Sequence, residues 1–217
     1  MGTIRAHTAG EYVTLINLFT VNPRDQLGLT RVQLGDMYWY GKRQPEALSA
    51  NFHRSLDGVR FFNYGQWRSA QALEEGRRTP EFQQHLRNYR YFDMSPDPHL
   101  YEVVMTTRGA PLEIRWPSPV LVTLRVDTVE PARQEALVAL LREELASEVE
   151  GRVGAALHRA LDGERVAVYT QWRGEAELEA ALATALLLFG VLSALALHFL
   201  MTPARFIGGP PSPVPIG

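Results

Sequence analysis

The chain has 217 residues, 46% of them hydrophobic, with 22 basic and 24 acidic side chains and a formal charge of −2. A disordered chain is excluded, and so is a nucleic-acid binder recruited by bulk positive charge. There is no cysteine, which removes disulfides, thiolate metal sites, iron–sulfur clusters and a cysteine nucleophile together.

The opening MGTIRAHTAGEY is too polar for a signal-peptide core, so a cytoplasmic protein is expected. Val13 to Val21 alternates and is rich in β-branched and aromatic residues, which predicts a strand. Asn22-Pro23 ends it and starts a helix near Arg24, closed by the aromatic stretch Met37-Tyr38-Trp39-Tyr40-Gly41. Phe52–Ser55 and Arg60–Trp67 flank Leu56-Asp57-Gly58, where Asp-Gly supplies the positive φ of a tight hairpin. Thr79-Pro80-Glu81 opens a helix through Tyr91 with an apolar stripe of Phe82, Leu86 and Tyr89, and Leu100–Thr107 follows as a strand. Pro111 to Pro119 reads as a linker.

Beyond the linker the chain repeats itself. His53–Arg68 and His158–Arg173 share ten of sixteen positions, including His-Arg-x-Leu-Asp-Gly and Tyr-x-Gln-Trp-Arg. Upstream, VTLINLFTVNP at 13–23 aligns with LVTLRVDTVEP at 121–131. Two blocks in the same order define a tandem duplication. The expected architecture is α+β: two ferredoxin-like βαββαβ units, residues 1–110 and 111–217, forming a barrel-like pseudo-dimer. The second unit ends in an uncharged run from Ala180 to Met201, long enough to span a bilayer. Without basic and aromatic anchors on its N-terminal side it reads rather as a buried helix, so a membrane partner is not expected. Gly208 to Gly217 reads as a proline-rich tail.

On the first strand Val13, Leu15, Asn17, Phe19 and Val21 share a face; on the hairpin's second strand Phe61, Asn63, Gly65 and Trp67 do. Each row places one carboxamide among rings, and a buried amide needs a partner. Two such amides beside a tryptophan and a glycine gap suggest pocket lining. The second copy has Arg125 and Val168 at these positions and keeps only Trp172, so one working pocket, in the first copy, is expected. On the following helix Arg90 lies nearer the apolar stripe than Arg87 and is the preferred cation to enter that pocket. Phe19, Phe61, Tyr89, Tyr38, Trp39 and Arg87 are candidate substrate contacts. The six histidines show no metal-ligand spacing, and no nucleotide or hydrolase motif appears. No metal and no tightly bound cofactor is expected, and nucleic acid is not an expected partner.

SANFHRSLDGVRFFNYGQWRS, then RTPEFQQHL and DPHLYEVV, together with INLFTVNP, resembles the antibiotic biosynthesis monooxygenase family. The resemblance covers nearly all of the first copy and the second to about Arg173. It implies ferredoxin-like units that pair as dimers, here within one polypeptide. It also implies an oxygenase of aromatic polyketide biosynthesis, turning an anthrone or hydroquinone into a quinone with dioxygen as co-substrate. In that reading Asn17, Asn63, Trp67 and Arg90 are the catalytic residues. Related tandem members imply an alternative, ring opening of an angucycline with reduced flavin, for which a flavin reductase would be a partner. A non-catalytic polyketide-binding scaffold is the third reading, and association beyond the internal pseudo-dimer stays open.

Overall fold

The computed structural model describes residues 2–5, 11–39, 43–114, 121–189 and 204–208, with side chains except at 2, 37–39, 184–189 and 204–208. A short strand β1 (Gly2–Ile4) precedes β2 (Val13–Val21). Asn22 then caps α1 (Pro23–Trp39): its side-chain oxygen accepts from the Arg24 amide at 3.2 Å, and Pro23 occupies the first helical position. The hairpin β3 (Ala47–Ser55) and β4 (Arg60–Trp67) turns at Gly58, whose φ of +80° only glycine adopts readily. Ser69 caps α2 (Ala70–Arg77), Thr79 caps α3 (Pro80–Tyr89), and β5 (Met94–Thr106) completes the first unit.

The second unit repeats the plan with β6 (Leu112–Ile114), β7 (Leu121–Thr128), α4 (Gln134–Ala146), the hairpin β8 (Arg152–Ala160) and β9 (Arg165–Trp172), α5 (Glu175–Phe189) and β10 (Ala204–Gly208). Its hairpin turns at Gly163, with φ +83°. Antiparallel pairing closes one barrel in the order β10-β3-β4-β2-β5-β8-β9-β7, β7 returning to β10. The closure is reciprocal. Strand β5 pairs with β2 of its own unit and β8 of the other; β10 pairs with β7 of its own unit and β3 of the other. The expected tandem ferredoxin-like arrangement is therefore present.

Three details differ from the sequence expectation. The stretch read as a linker contains β6, which pairs with β1 in a two-stranded ribbon. Ile4, Leu112 and Ile114 of that ribbon join the barrel's interior core, so it packs into the fold. Strand β5 begins six residues earlier than Leu100, and α3 ends at Tyr89 rather than Tyr91. Of the apolar run, 190–201 lie outside the described residues, as do 209–217; among the described residues no helix is long and apolar enough to cross a membrane.

The repeated motifs hold the two units together. His53 Nε2 lies 3.2 Å from the Tyr169 hydroxyl and His158 Nε2 lies 2.8 Å from that of Tyr64, so each unit's histidine meets the other's tyrosine inside the barrel. Burial lowers the His53 pKa to about 3 and raises those of Tyr64 and Tyr169, which keeps these groups neutral. Gln66 donates to Thr3 O and Gln171 to Glu113 O, a matched pair of ties to the ribbon. Gln26 bridges Ser55 O and Arg60 O across the first hairpin's ends, and Gln134 bridges Ala160 O and Arg165 O across the second.

Candidate active site

Period-two alternation sends Ile16, Phe62 and Tyr64 into the barrel and leaves the opposite face to meet the helices. In the first unit that layer contains Phe19, Phe52 and Phe61, with Leu29 of α1, Tyr89 of α3, and Phe92 packed against them. Phe61 lies 5.7 Å from Phe19 and stacks on Phe52 at 6.0 Å. Asn17 and Asn63 stand directly opposite each other on β2 and β4, one step along from the Phe19–Phe61 pair on the same face. Asn63 Nδ2 donates to Gln33 Oε1 of α1 at 3.2 Å. Asn17 Oδ1, Asn63 Oδ1 and Gln33 Nε2 are buried and have no hydrogen-bond partner among the described residues. Each unsatisfied amide atom costs about 1–3 kcal/mol, so this layer carries a penalty that folding alone does not require.

A second polar group borders the same layer. Asp36 lies one turn beyond Gln33 on α1, and its carboxylate is 2.6 Å from His85 Nδ1 of α3. The other ring nitrogen, Nε2, is 2.5 Å from the Tyr89 hydroxyl, and Asn88 donates to both Asp36 oxygens at 3.2 Å. A carboxylate only accepts, so Nδ1 carries the proton toward Asp36 and Nε2 accepts from Tyr89. Burial lowers the His85 pKa, opposed by Asp36, which favours the neutral imidazole. Tyr89 meets Phe19 edge-on at 6.0 Å. At the far end of the chain Asp36 and His85 line an open cleft of about 400 Å³ with Arg43, Glu81, Gln84 and Arg87. Among the described residues no group of three or more His, Asp or Glu is placed to hold a metal ion.

The equivalent layer of the second unit is closed. Arg125 and Val168 pair where the asparagines pair in the first unit, and Leu141, 1% exposed, takes the place of Gln33. Arg125 is neutralised by Asp127 at 2.8 Å, with Glu144, the counterpart of Asp36, at 3.9 Å. Val138, Leu141, Leu145 and Leu157 fill the remaining space.

The structure brings Asn17, Asn63, Phe19, Phe61 and Tyr89 into one layer. Trp67 lies on the same strand face, its Nε1 3.6 Å from where a Cβ on Gly65 would be, so the indole fills the gap read at that glycine. A Cβ on Gly76 of α2 would fall 2.9 Å from the same ring, so the helix clamps it. Trp172 instead donates to Thr123 Oγ1 at 3.1 Å; the matching first-unit position is Leu15, so that bond has no counterpart. Arg90 does not reach the layer. It follows the last turn of α3, is exposed, and stacks over Tyr91 with its guanidinium 4.9 Å from the ring centroid. The reason is a rotated stripe: His85 is the buried residue of α3, whereas Leu86 is 43% exposed, which turns Arg90 away. Arg87 is also exposed and bonds Gln84, though it edges the open cleft. The side chains of Tyr38 and Trp39 lie outside the described residues. Gln33, Asp36 and His85 were not anticipated. For Gln33 and Asp36 the signal was their i, i+3 spacing on α1; for His85 it was its i, i+4 spacing to Tyr89.

The barrel joins two ferredoxin-like units, and among the described residues the polar and aromatic layer between sheet and helices lies in the first, which makes that unit the place of the candidate site. Residues 119–187, most of the second unit, match the family model described as antibiotic biosynthesis monooxygenase. A crystal structure of an anthrone oxidase-like protein is similar at a TM-score of 0.70 and 26% identity, over 82% of this chain and 79% of that one. A structure from Fusobacterium nucleatum, described as a candidate monooxygenase, has a TM-score of 0.61 at 7% identity over 84% of this chain and 88% of its own. Another so described, from Lactobacillus acidophilus, has a TM-score of 0.54 at 10% identity over 83% and 88%. These last two share the fold alone. No curated protein sequence matches the chain. The family match thus falls on the unit whose layer is closed.

Proposed function

We propose that the chain is an oxygenase that oxidises a phenolic or anthrone-type polycyclic substrate to a quinone with dioxygen, in the first unit, without a metal or tightly bound cofactor. The observation that carries this reading is the set of three buried amide atoms without a partner among the described residues, the acceptors Asn17 Oδ1 and Asn63 Oδ1 and the donor Gln33 Nε2, beside stacked phenylalanines. A ring bearing hydroxyl and keto oxygens satisfies that pattern: hydroxyls donate to the asparagines, and a keto or phenolate oxygen accepts from Gln33. Similarity to an anthrone oxidase-like protein over most of the chain supports the same substrate class.

The chemistry balances without an external reductant. A ring CH2 and O2 become C=O and H2O, so the substrate carbon supplies all four electrons. The enol form of the anthrone loses its proton and the resulting anion is electron-rich enough to pass an electron to dioxygen. The radical pair recombines at carbon as a peroxide, and loss of water leaves the carbonyl. Gln33, held by the Asn63 amide that donates to its Oε1, turns its Nε2 to the oxygen on which charge develops, a contribution of about 2–4 kcal/mol for a well-placed donor. Trp67 and the phenylalanines hold the ring and exclude water.

Dioxygen consumption with 1,8-dihydroxyanthrone, corrected for autoxidation, tests the proposal. One O2 consumed per quinone formed by protein alone is expected. Consumption only with added reduced flavin would replace it with a flavin-dependent oxygenase, and binding without consumption would leave a scaffold.

A further inference from the structure

We propose that Tyr89, His85 and Asp36 form the base of this site: Tyr89 takes the proton of the bound hydroxyl as its own passes to His85, and Asp36 holds the imidazolium that results. The inference rests on the oxygenase reading and adds what the amides lack, since no carboxamide accepts a proton at neutral pH. Asn17, Asn63 and Gln33 can stabilise an anion but cannot create one.

Position, geometry and contrast carry it. The chain of bonds starts at the Tyr89 hydroxyl, on a ring packed edge-on against Phe19, whose strand neighbour on the same face is Asn17. It passes through both nitrogens of one imidazole in bonds of 2.5 and 2.6 Å and ends on a carboxylate at an open cleft. Buried aromatic layer and cleft are thereby joined by groups that each both accept and release a proton. Asp36 is fixed by Asn88 and lies one turn from Gln33 on α1, so the helix that places the unpaired amide donor also places the relay's anion. The second unit lacks the amides, and among its described residues Glu144 faces Arg125 instead and no histidine lies in α4 or α5; His198 lies outside the described residues. Among the described residues both features occur in one copy of a duplicated fold.

The transfer is balanced and moves no electrons. The substrate O–H bond breaks, an O–H bond forms at Tyr89, the tyrosine's original proton bonds His85 Nε2, and Nδ1–H stays with Asp36. The substrate anion is left against the Gln33 amide, and a positive imidazolium lies beside a negative carboxylate. Around His85 its own helix also presents Glu81, Gln84, Arg87, Asn88 and Tyr89, and Arg43 faces it across the cleft.

The test uses 1,8-dihydroxyanthraquinone, a product-like probe that is not turned over and changes colour on ionisation, bound to the full chain. Wild-type protein is expected to bind it and to lower its apparent pKa by about one unit or more. Tyr89→Phe and His85→Gln are expected to bind it within about threefold of wild type, with the pKa shift abolished, and to lose roughly 100-fold in dioxygen consumption. Asp36→Asn is expected to lose most of the shift. Melting temperatures of the variants separate misfolding from loss of the relay, and Tyr89→Phe, which keeps the ring, is the arbiter where His85→Gln fails to fold. An unchanged pKa shift in Tyr89→Phe and His85→Gln, with binding intact, would overturn the relay and leave the oxygenase reading standing. No binding by wild-type protein would overturn both.

Discussion

The two halves of this chain share a backbone plan and differ in what lies between sheet and helices. In the second unit that layer is filled by Val138, Leu141, Leu145, Leu157 and Val168, with Arg125 paired to Asp127 and Glu144 at its edge. In the first it contains Asn17, Asn63, Gln33 and the Asp36–His85–Tyr89 chain among phenylalanines. One copy packs as a core ordinarily packs; the other holds polar atoms that the described residues do not satisfy. Duplication lets the two requirements separate. The residues that build the pseudo-dimer are kept in both copies, as Gln26 and Gln134, His53 and His158, and Tyr64 and Tyr169 demonstrate. Those free of that duty diverge.

The comparison can be broken most directly by making the first unit resemble the second. Asn63→Val installs the residue found at Val168 and is expected to reduce dioxygen consumption by about 100-fold or more. The same change removes a buried unpaired oxygen and also the donor to Gln33 Oε1, so the urea midpoint is expected to stay nearly level, and to rise when Gln33→Leu is added. A large loss of stability instead would make Asn63 a packing residue. Next in size are the glutamine clamps. Gln26→Ala and Gln134→Ala each remove a donor shared by two carbonyls and are expected to cost about 1–3 kcal/mol by urea denaturation, more in the second unit, where Ala160 replaces the Ser55 hydroxyl that also donates to Arg60 O. No loss in either unit would deny that the hairpin clamp is a shared structural device.

Acid sharpens the comparison from the side of the shared parts. The pKa of His53 is about 3 folded against 6.5 in an exposed histidine. Above 6.5 both states are neutral and the full stability is present; between 6.5 and about 3 only the unfolded chain takes up the proton. Stability is therefore expected to fall by about 1.4 kcal/mol per pH unit across that window from this group alone. His53→Gln should remove that share of the slope, read as the difference in urea-midpoint slopes against pH. The smallest effect is expected at Arg90→Ala. Its side chain lies on Tyr91 in solvent, so dioxygen consumption should stay within about twofold of wild type.

How far these features could be read from the residues depended on the range of the interaction involved. The strand Val13–Val21 and the Asp-Gly hairpins are local, and both stand where their patterns put them. Strand alternation also put Asn17 and Asn63 on one kind of face, and the duplication singled them out as unshared. Helix phase was harder. A stripe of Phe82, Leu86 and Tyr89 looks apolar, yet the fold buries His85 in place of Leu86 because Asp36 and Tyr89 satisfy both of its nitrogens. Nothing local announces that pairing, since Asp36 and His85 are 49 positions apart. The ribbon of β1 and β6 escaped for the same reason: three-residue strands gain their pairing only from each other, across the length of a whole unit.

A crystal structure with 1,8-dihydroxyanthraquinone bound tests the central claim, that one unit of this barrel keeps a substrate site which the other has closed. The account predicts the ring system between the β2–β4 face and helices α1 and α3, with its oxygens within about 3.2 Å of the Asn17, Asn63 and Gln33 amides. A ligand seated in the second unit's layer, or inside the barrel against Tyr64 and Tyr169, would contradict it.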